Sequence, residues 1–574
     1  MNRLIAVFPI LTWLPNYQRR WLRGDIFAGV TVGIMLIPQG MAYAMLAGLP
    51  PVYGLYAALL PQVVYSIFGT SRQLSVGPVA MDSLLVASGV AVLAKEGTDA
   101  YITYAIMLAM LMGIFQLFLG IARMGFITNL LAKPVIKGFT SAAALIIAFS
   151  QAKYIFGIES ERSTVFFTLI RDIIYQIEAI NWIPVMIAIL GVITLKGIKK
   201  INSAIPASLV LVILGTLAVY LLNLDSKGVS IVGAIPSGLP GFHWPSISLD
   251  MIIDLLPLAA TISVVAFMEA FSVAKALEAK RKDHKIIPNK ELIALGAANF
   301  IGAMFQAYPV TGGFSRSAVN EQAGANTPLS SVFSVILIAL TLLFLMPLFY
   351  FLPKAVLATI IVVAVIGLID IAYARKLWLN NKVEFVLLLL TFLVTLNVGM
   401  VLGIVSGIIA SVLVLLYNEA YPHIAILGRV QSHHEFRNVT RFSNLELWED
   451  MLIIRVDASL TFVNIQYVVD YVEKELSKDP RINKIVLDAS PISRIDATAI
   501  NGLSELITAL KGRNIRFIIS DLIGPVRDTI TRTGLLRMID PSNVFINLDE
   551  AVNCISSGEK SKYDQYALQA HSNS

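Results

Sequence analysis

Cysteine is almost absent: the 574 residues include one, Cys554. A lone thiol closes no intrachain disulfide and builds no metal site, so redox and zinc chemistry are not expected. The six histidines, His284, His423, His433 and His434 among them, show no metal spacing within an apolar run. No phosphate-binding glycine loop and no catalytic constellation occur, so neither ATP hydrolysis nor any other enzyme activity is indicated, and no cofactor is expected. Charge is scarce as well. Asp, Glu, Lys and Arg make up 14%, where soluble domains carry about 25%. The net charge of +6 is modest and sits mostly between apolar runs, which excludes a nucleic-acid partner.

Apolar residues fill the space that charge leaves. They make up 56% of the chain, and the mean hydropathy is +0.74. Many runs reach the roughly 20 residues that cross a hydrocarbon core of about 30 Å. The sequence therefore predicts a polytopic α-helical protein embedded in a lipid bilayer. The opening "MNRLIAVFPILTWLPNYQRRWLRGD" lacks the cleavage site of a signal peptide and fits an interfacial segment over residues 1–24. About fourteen spans follow within residues 25–420. Seven lie near 25–47, 51–69, 77–94, 100–122, 130–152, 178–198 and 205–223. Seven more lie near 252–278, 290–307, 313–323, 328–347, 353–372, 382–398 and 400–418.

With a cytoplasmic N-terminus, the inward loops hold Arg72, Arg123, Lys196, Lys199, Lys200, the "AKRKDHK" run at 279–285, Arg375 and Lys376. The outward loops are poorer in lysine and arginine, as the positive-inside rule requires. An even count of spans puts both termini in the cytoplasm. The two sets of seven read as copies. Segment three opens "LSVGPVAMDSLL" and segment ten "TGGFSRSAVN", both short, polar and glycine-containing. Segments one and eight each carry a polar residue in mid-span, Gln39 and Glu269. Seven is odd, so such a repeat (25–223 and 252–418) must be inverted, and interrupted segments at matching places point to a transport site at mid-membrane.

After residue 420 the pattern changes. Residues 421–445 read as a linker. Residues 446–556 alternate strand and helix, as in "DMLIIRVDASLTF" and "NIQYVVDYVEKELSK", and predict a soluble α/β domain. The polar end, 557–574, reads as disordered.

Arg316 is the residue most in need of a partner, because a charge at the bilayer centre costs at least about 2.5–3.5 kcal/mol unless paired or hydrated. Gly312 and Gly313 allow an unwound backbone ahead of it, and Ser315 is placed to cap a new helix. Segment three should present a second helix start at Val76, Gly77, Pro78, Val79 and Ala80, with Pro78 in the first turn. Each helix start contributes roughly half a positive charge. Together with Arg316 they suit a small anion, dianionic or monoanionic. Glu269 sits mid-span without an obvious partner, and desolvation there favours its protonated form. Such acids act as proton relays or cation ligands, so Glu269 is the candidate for proton or sodium coupling, with Asp82 a second. Gln39 and Tyr43, one turn apart, can offer an amide donor and an aromatic wall. Ser272 shares the face of Glu269 and can donate a hydroxyl.

These motifs carry a resemblance. "GIMLIPQGMAYAMLAGLPPVYGLYAALLP", "GTSRQLSVGPVAMDSL", "GGFSRSAV" and "IVLDASPISRIDATAINGL" together resemble the sulfate permease (SulP) family, over roughly residues 10 to 555. The last resembles the sulfate-transporter and anti-sigma-antagonist (STAS) domain. The resemblance implies a seven-plus-seven inverted repeat with core and gate domains that move as an elevator. It implies a homodimer, and the expected setting is a bacterial inner membrane. It implies an anion site at Gln39, Tyr43, the "VGPVA" stretch, Phe314, Ser315 and Arg316, with Glu269 as the coupling acid. The expected activity is proton-coupled sulfate uptake, with sodium-coupled bicarbonate uptake or chloride exchange as the alternative, and an uncoupled channel or an anion-sensing signalling protein as other classes. In the anti-sigma antagonists a serine of a "DSSG" turn is phosphorylated. Here the turn reads "IDATAING", so Thr498 falls nearest, and binding of a cytoplasmic partner is the more conservative expectation.

Overall fold

The computed structural model describes residues 8–129, 132–158, 166–201, 206–245, 248–281, 284–431, 433–557 and 561. Nearly all of the tail expected to be disordered, 557–574, lies outside the described residues. The chain divides into two units, Met1–Ser411 and Val412–Ser574.

A helix lies at each of the fourteen apolar stretches, the first thirteen of them within the first unit. Eight of the described helices are long and apolar enough to cross a membrane, and Ala80–Val90, Trp182–Ile198 and Ala207–Leu222 are shorter apolar helices. The elements that build the site are α1 (Arg19–Leu46), β1 (Val76–Gly77), α2 (Ala80–Val90), α3 (Asp99–Ile121), α4 (Lys133–Ser150), α5 (Leu249–Arg281), α6 (Pro288–Ala303), β2 (Thr311–Gly312), α7 (Phe314–Gln322), α8 (Lys354–Ile366) and α9 (Ile371–Asn380). Helices α3 and α6 approach so closely that a Cβ on Gly113 would lie 2.5 Å from the Phe300 amide, and one on Gly296 2.7 Å from that of Leu117. Small residues allow this backbone contact, which drives helix association where lipid removes the hydrophobic effect.

α2 and α7 are too short to span a bilayer, for a physical reason. Each follows a two-residue strand, and the strands pair antiparallel, Val76 with Gly312 and Gly77 with Thr311. The extended backbone of each segment finds its hydrogen-bond partners in the other, so neither leaves polar groups bare to lipid.

The second unit is an α/β fold. A seven-stranded sheet runs β4 (Phe436–Asn438), β3 (Ile424–Val430), β6 (Met451–Val456), β7 (Lys484–Asp488), β8 (Arg516–Ser520) and β9 (Val544–Phe545), with β5 (Leu445–Glu446) also paired to β3. Strands β6 to β9 are parallel, while β3 pairs antiparallel to β4, β5 and β6. The stretch 421–445, expected as a linker, is therefore corrected: it supplies the antiparallel edge of this sheet. Helices α10 (Ile465–Lys478) and α11 (Ala497–Gly512) cover one face, and α12 (Leu548–Ser557) covers the other.

Candidate functional site: two broken helices meeting at Arg316

The strand crossing brings the starts of α2 and α7 together. Gly313 donates its amide to the Ser75 carbonyl (3.0 Å), and Ser317 Oγ accepts the Ser75 amide (2.9 Å). Two sequence expectations shift by a residue or two. Ser315 does not cap α7: the cap position is Gly313, with no side-chain bond, and Ser315 is exposed inside the first turn. Pro78 is not in the first turn of α2 either, since the helix starts at Ala80 with Val79 as its cap residue. In both segments strand pairing fixes the entry to the helix, so a capping side chain is not needed. The first amides of each helix keep no intrahelical acceptor.

Arg316 is 2% exposed. Its Nη1 donates to the Pro78 carbonyl across the crossing (2.7 Å), while Nε and Nη2 have no protein partner. A Cβ on Gly313 would sit 2.7 Å from Nη2, and one on Gly77 3.5 Å away. Glycine at these two places leaves room for the guanidinium between the strands. Among the described residues no ion pair holds Arg316. Glu321, on the same helix, is bound by Lys280 and by Arg281 (Nε to Oε1, 3.1 Å). Lys275 is occupied by Glu278 at 2.5 Å. The buried Oε2 of Glu269 and both oxygens of Asp82 accept no hydrogen bond. Arg316, Glu269 and Tyr43 lie within electrostatic range of one another, Tyr308 within range of Arg316 and Tyr43, and Asp82 within range of Glu269 and Tyr308.

Two buried carboxylates of the surrounding shell, Asp25 and Glu291, are saturated by contrast. Asp25 of α1 accepts from the amides of Asn326 (2.7 Å) and Thr327 (3.0 Å), the Thr327 hydroxyl (2.7 Å) and the Tyr17 phenol (3.1 Å). Glu291 of α6 accepts from the Tyr65 phenol (2.6 Å) and from the amide (2.7 Å) and hydroxyl (2.5 Å) of Thr70. Asn299 donates to the Val310 carbonyl and accepts the Val310 amide, and Thr311 donates to the Ala266 carbonyl. These bonds pin the strand that leads into Arg316 onto α5 and α6.

A cavity of about 500 Å³ adjoins the crossing. Met81, Glu269, Ser272 and Phe314 line one wall, and Lys137, Phe139, Thr140 and Asp370 belong to the other. Lys137 pairs with Asp370 (2.8 Å), which also caps α9 through the Tyr373 amide (3.0 Å). Among the sequence candidates, Glu269, Ser272 and Phe314 share this cavity, while Gln39, Tyr43, Val76, Gly77 and Arg316 are buried and lie outside its wall. Val79 and Ala80 join them at the crossing. Thr498 is in the other unit, exposed at the second position of α11; the neighbouring Asp496 caps that helix through the Ala499 amide (2.9 Å) and also accepts the Phe462 amide (2.8 Å). The sequence reading missed Tyr308, Lys137 and Asp370. Tyr308 lies three residues before the break, and its hydroxyl is 3.1 Å from that of Ser83. The signal for Tyr308 was its place in "AYPVTGG". Lys137 and Asp370 carried no local signal beyond charge at a span end.

A helical membrane protein with two helix starts and an unpaired arginine at one point has the architecture of an anion transporter. The comparisons agree: the model of the sulfate permease family matches residues 22–391, and that of the STAS domain residues 443–551. The chain belongs to the sulfate permease family and is an integral membrane protein of the anion-transporter class. It is 38% identical to the chloroplastic sulfate transporter 4.1 of Arabidopsis thaliana, over 98% of this chain and 84% of that one. It is 33% identical to a probable sulfate transporter of Mycobacterium tuberculosis, over 94% and 97%. Its fold matches the murine solute carrier 26 member A9 anion transporter in its inward-facing state, with a TM-score of 0.91 and 25% identity over 97% and 95% of the two chains. The transmembrane domain of a cyanobacterial bicarbonate transporter matches in fold, with a TM-score of 0.60 and 23% identity over 69% of this chain and 98% of that one.

Proposed function

We propose that the chain is a secondary active transporter that takes up sulfate together with protons. The observation that carries this reading is Arg316, buried at the crossing with Nε and Nη2 free of protein partners. The two helix starts contribute about one positive charge together, and Arg316 adds a full one. A tetrahedral dianion neutralises that field and accepts from several donors at once. The sulfate transporters among the relatives support the choice of dianion. Gln39 and Tyr43 are the further contacts on α1, and Val76 to Ala80 and Phe314 to Arg316 form the two ends of the site. Ser272 lies beside Glu269 on the cavity side.

Coupling has an energetic motive. Moving a dianion inward against 100 mV costs about 4.6 kcal/mol, at roughly 2.3 kcal/mol per charge. Glu269, buried at Oε2 and beside the cavity, is the proton carrier. The helices carrying the crossing move against those carrying Lys137 and Asp370, in the elevator manner. Lys137 and Asp370, on this cavity, lie at the span ends that loop charge assigns to the cytoplasm. The unit with Thr498 serves a cytoplasmic partner or the homodimer. The setting we propose is a bacterial inner membrane with both termini inside.

The test is radiolabelled uptake into proteoliposomes, with sulfate, bicarbonate and chloride each offered under separate pH and sodium gradients. Sulfate uptake driven by an inward proton gradient is the expected result. No sulfate flux under any gradient overturns the reading, and bicarbonate flux under a sodium gradient would replace it.

A further inference from the structure

We propose that Asp82 is a second proton carrier, so that each sulfate enters with two protons. The inference deepens the proton-coupled sulfate reading and rests on it. Asp82 is fully buried, and neither of its oxygens accepts a hydrogen bond. Its position, third in α2, is where an acid ordinarily closes a helix cap by accepting the cap residue's amide. Asp82 makes no such bond, and among the described residues no cation pairs with it. A structural role of that kind is therefore unfilled, in contrast to Asp25 and Glu291.

Charge balance gives Asp82 its task. The crossing holds about two fixed positive charges, one from the paired helix starts and one from Arg316. In the empty site, two ionised carboxylates, Asp82 and Glu269, offset them. In the loaded site a sulfate dianion offsets them, and both acids are protonated. Binding the dianion drives proton uptake because the anion and the two carboxylates compete for the same field. A single acid leaves one of the two states out of balance by a full charge, inside a membrane where such a charge costs several kcal/mol. With two, the moving helices carry the same charge loaded and empty, and the cycle is electroneutral.

The mid-span titratable groups on the elements around α2, and the charged groups nearest them, divide into two sets. Tyr43 on α1, Glu269 on α5, and Tyr308 and Arg316 on either side of β2 belong to the same electrostatic group. Asp25, also on α1, is saturated by its four donors. Lys137 on α4 is paired with Asp370. On α3, Tyr101 donates to the Ala47 carbonyl (2.7 Å), Tyr104 is half-buried, and Asp99 is exposed at the helix start.

The experiment uses full-length protein in proteoliposomes, with sulfate accumulation driven by a fixed pH gradient while a potassium diffusion potential is varied. Wild-type accumulation should not change between 0 and 100 mV, inside negative. Asp82→Asn should carry one net negative charge inward, so 100 mV should lower its accumulation about fiftyfold, from 2.3 kcal/mol per charge and tenfold per 1.4 kcal/mol. Asp82→Glu should restore insensitivity. Proton uptake on sulfate binding, read with a pH indicator in weakly buffered detergent solution at alkaline pH, should be two for wild type and one for Asp82→Asn or Glu269→Gln. Wild-type accumulation that already falls fiftyfold with potential overturns the role of Asp82, whether or not the variants fold. So does a proton count unchanged by Asp82→Asn. Absence of any pH-driven sulfate uptake by wild type is a different result and defeats the parent reading instead.

Discussion

Asp25 and Glu291 are buried and accept several hydrogen bonds, whereas buried Asp82 accepts none from the described residues. All three belong to the membrane unit, and the contrast divides it into a brace and a working site. In the brace, each carboxylate gathers three or four hydrogen bonds from distant segments and fixes where a strand or loop runs. At the crossing, Arg316, Asp82 and Glu269 each leave polar atoms without a protein partner. A buried polar atom without a partner costs about 1–3 kcal/mol, more for a charged one. Such a cost persists in a folded protein where a ligand or a proton meets it during the working cycle.

The contrast can be broken from either side. The largest effect should come from the brace. Asp25→Ala leaves two backbone amides and two hydroxyls without their acceptor, and should lower stability by about 3–5 kcal/mol. In a thermal melt of the detergent-solubilised protein the variant should unfold many degrees earlier, while the sulfate affinity of the folded fraction stays near wild type. Next comes Arg316→Ala, which should weaken sulfate binding about a hundredfold, or roughly 2.7 kcal/mol, with little change in the melt. Titration calorimetry reads the first and the melt the second. Undiminished affinity would place Arg316 in the brace. Gly313→Ala sharpens the comparison, since its Cβ would press on the Arg316 guanidinium at 2.7–2.8 Å. It should weaken binding about tenfold, or roughly 1.4 kcal/mol, by displacing that group.

The smallest effect lies in the other unit, where most charges are paired, as Arg429 is with Glu446 and Asp549. Asp521 is an exception: burial, then the neighbouring Asp488 carboxylate, hold its carboxyl above the usual range. A carboxyl raised on folding costs stability above its unfolded value, and the cost fades as pH falls through the folded value. Asp521→Asn should therefore slow hydrogen exchange in β8 of the full chain at pH 7, with the gain shrinking toward pH 4. Its left-handed backbone, φ 58°, suits asparagine.

How much of this was legible in the sequence follows from the range of each interaction. The break at Gly312–Arg316 was visible because an arginine and paired glycines contradict an apolar run locally. The matching break at "SVGPVA" was visible for the same reason, and the helix stretches followed from hydropathy. The exact helix starts were not, because strand pairing between residues 76 and 312 replaces the side-chain caps that sequence rules look for. The brace was invisible. Its bonds join Thr70 to Glu291 and Asp25 to Asn326, across 221 and 301 residues, and no local pattern announces them. The stretch 421–445 was read as a linker because β4 and β5 are very short and the segments between strands hold serine, histidine and asparagine, which punctuate loops as often as sheets.

The central claim is that the crossing of the two broken segments holds the anion. It is tested most directly by locating a heavy analogue of sulfate. In a structure determined with selenate, the anomalous selenium peak should lie between the starts of α2 and α7, within hydrogen-bonding distance of Arg316 Nη2. A peak elsewhere, with Arg316 Nε and Nη2 still without a partner, would contradict it.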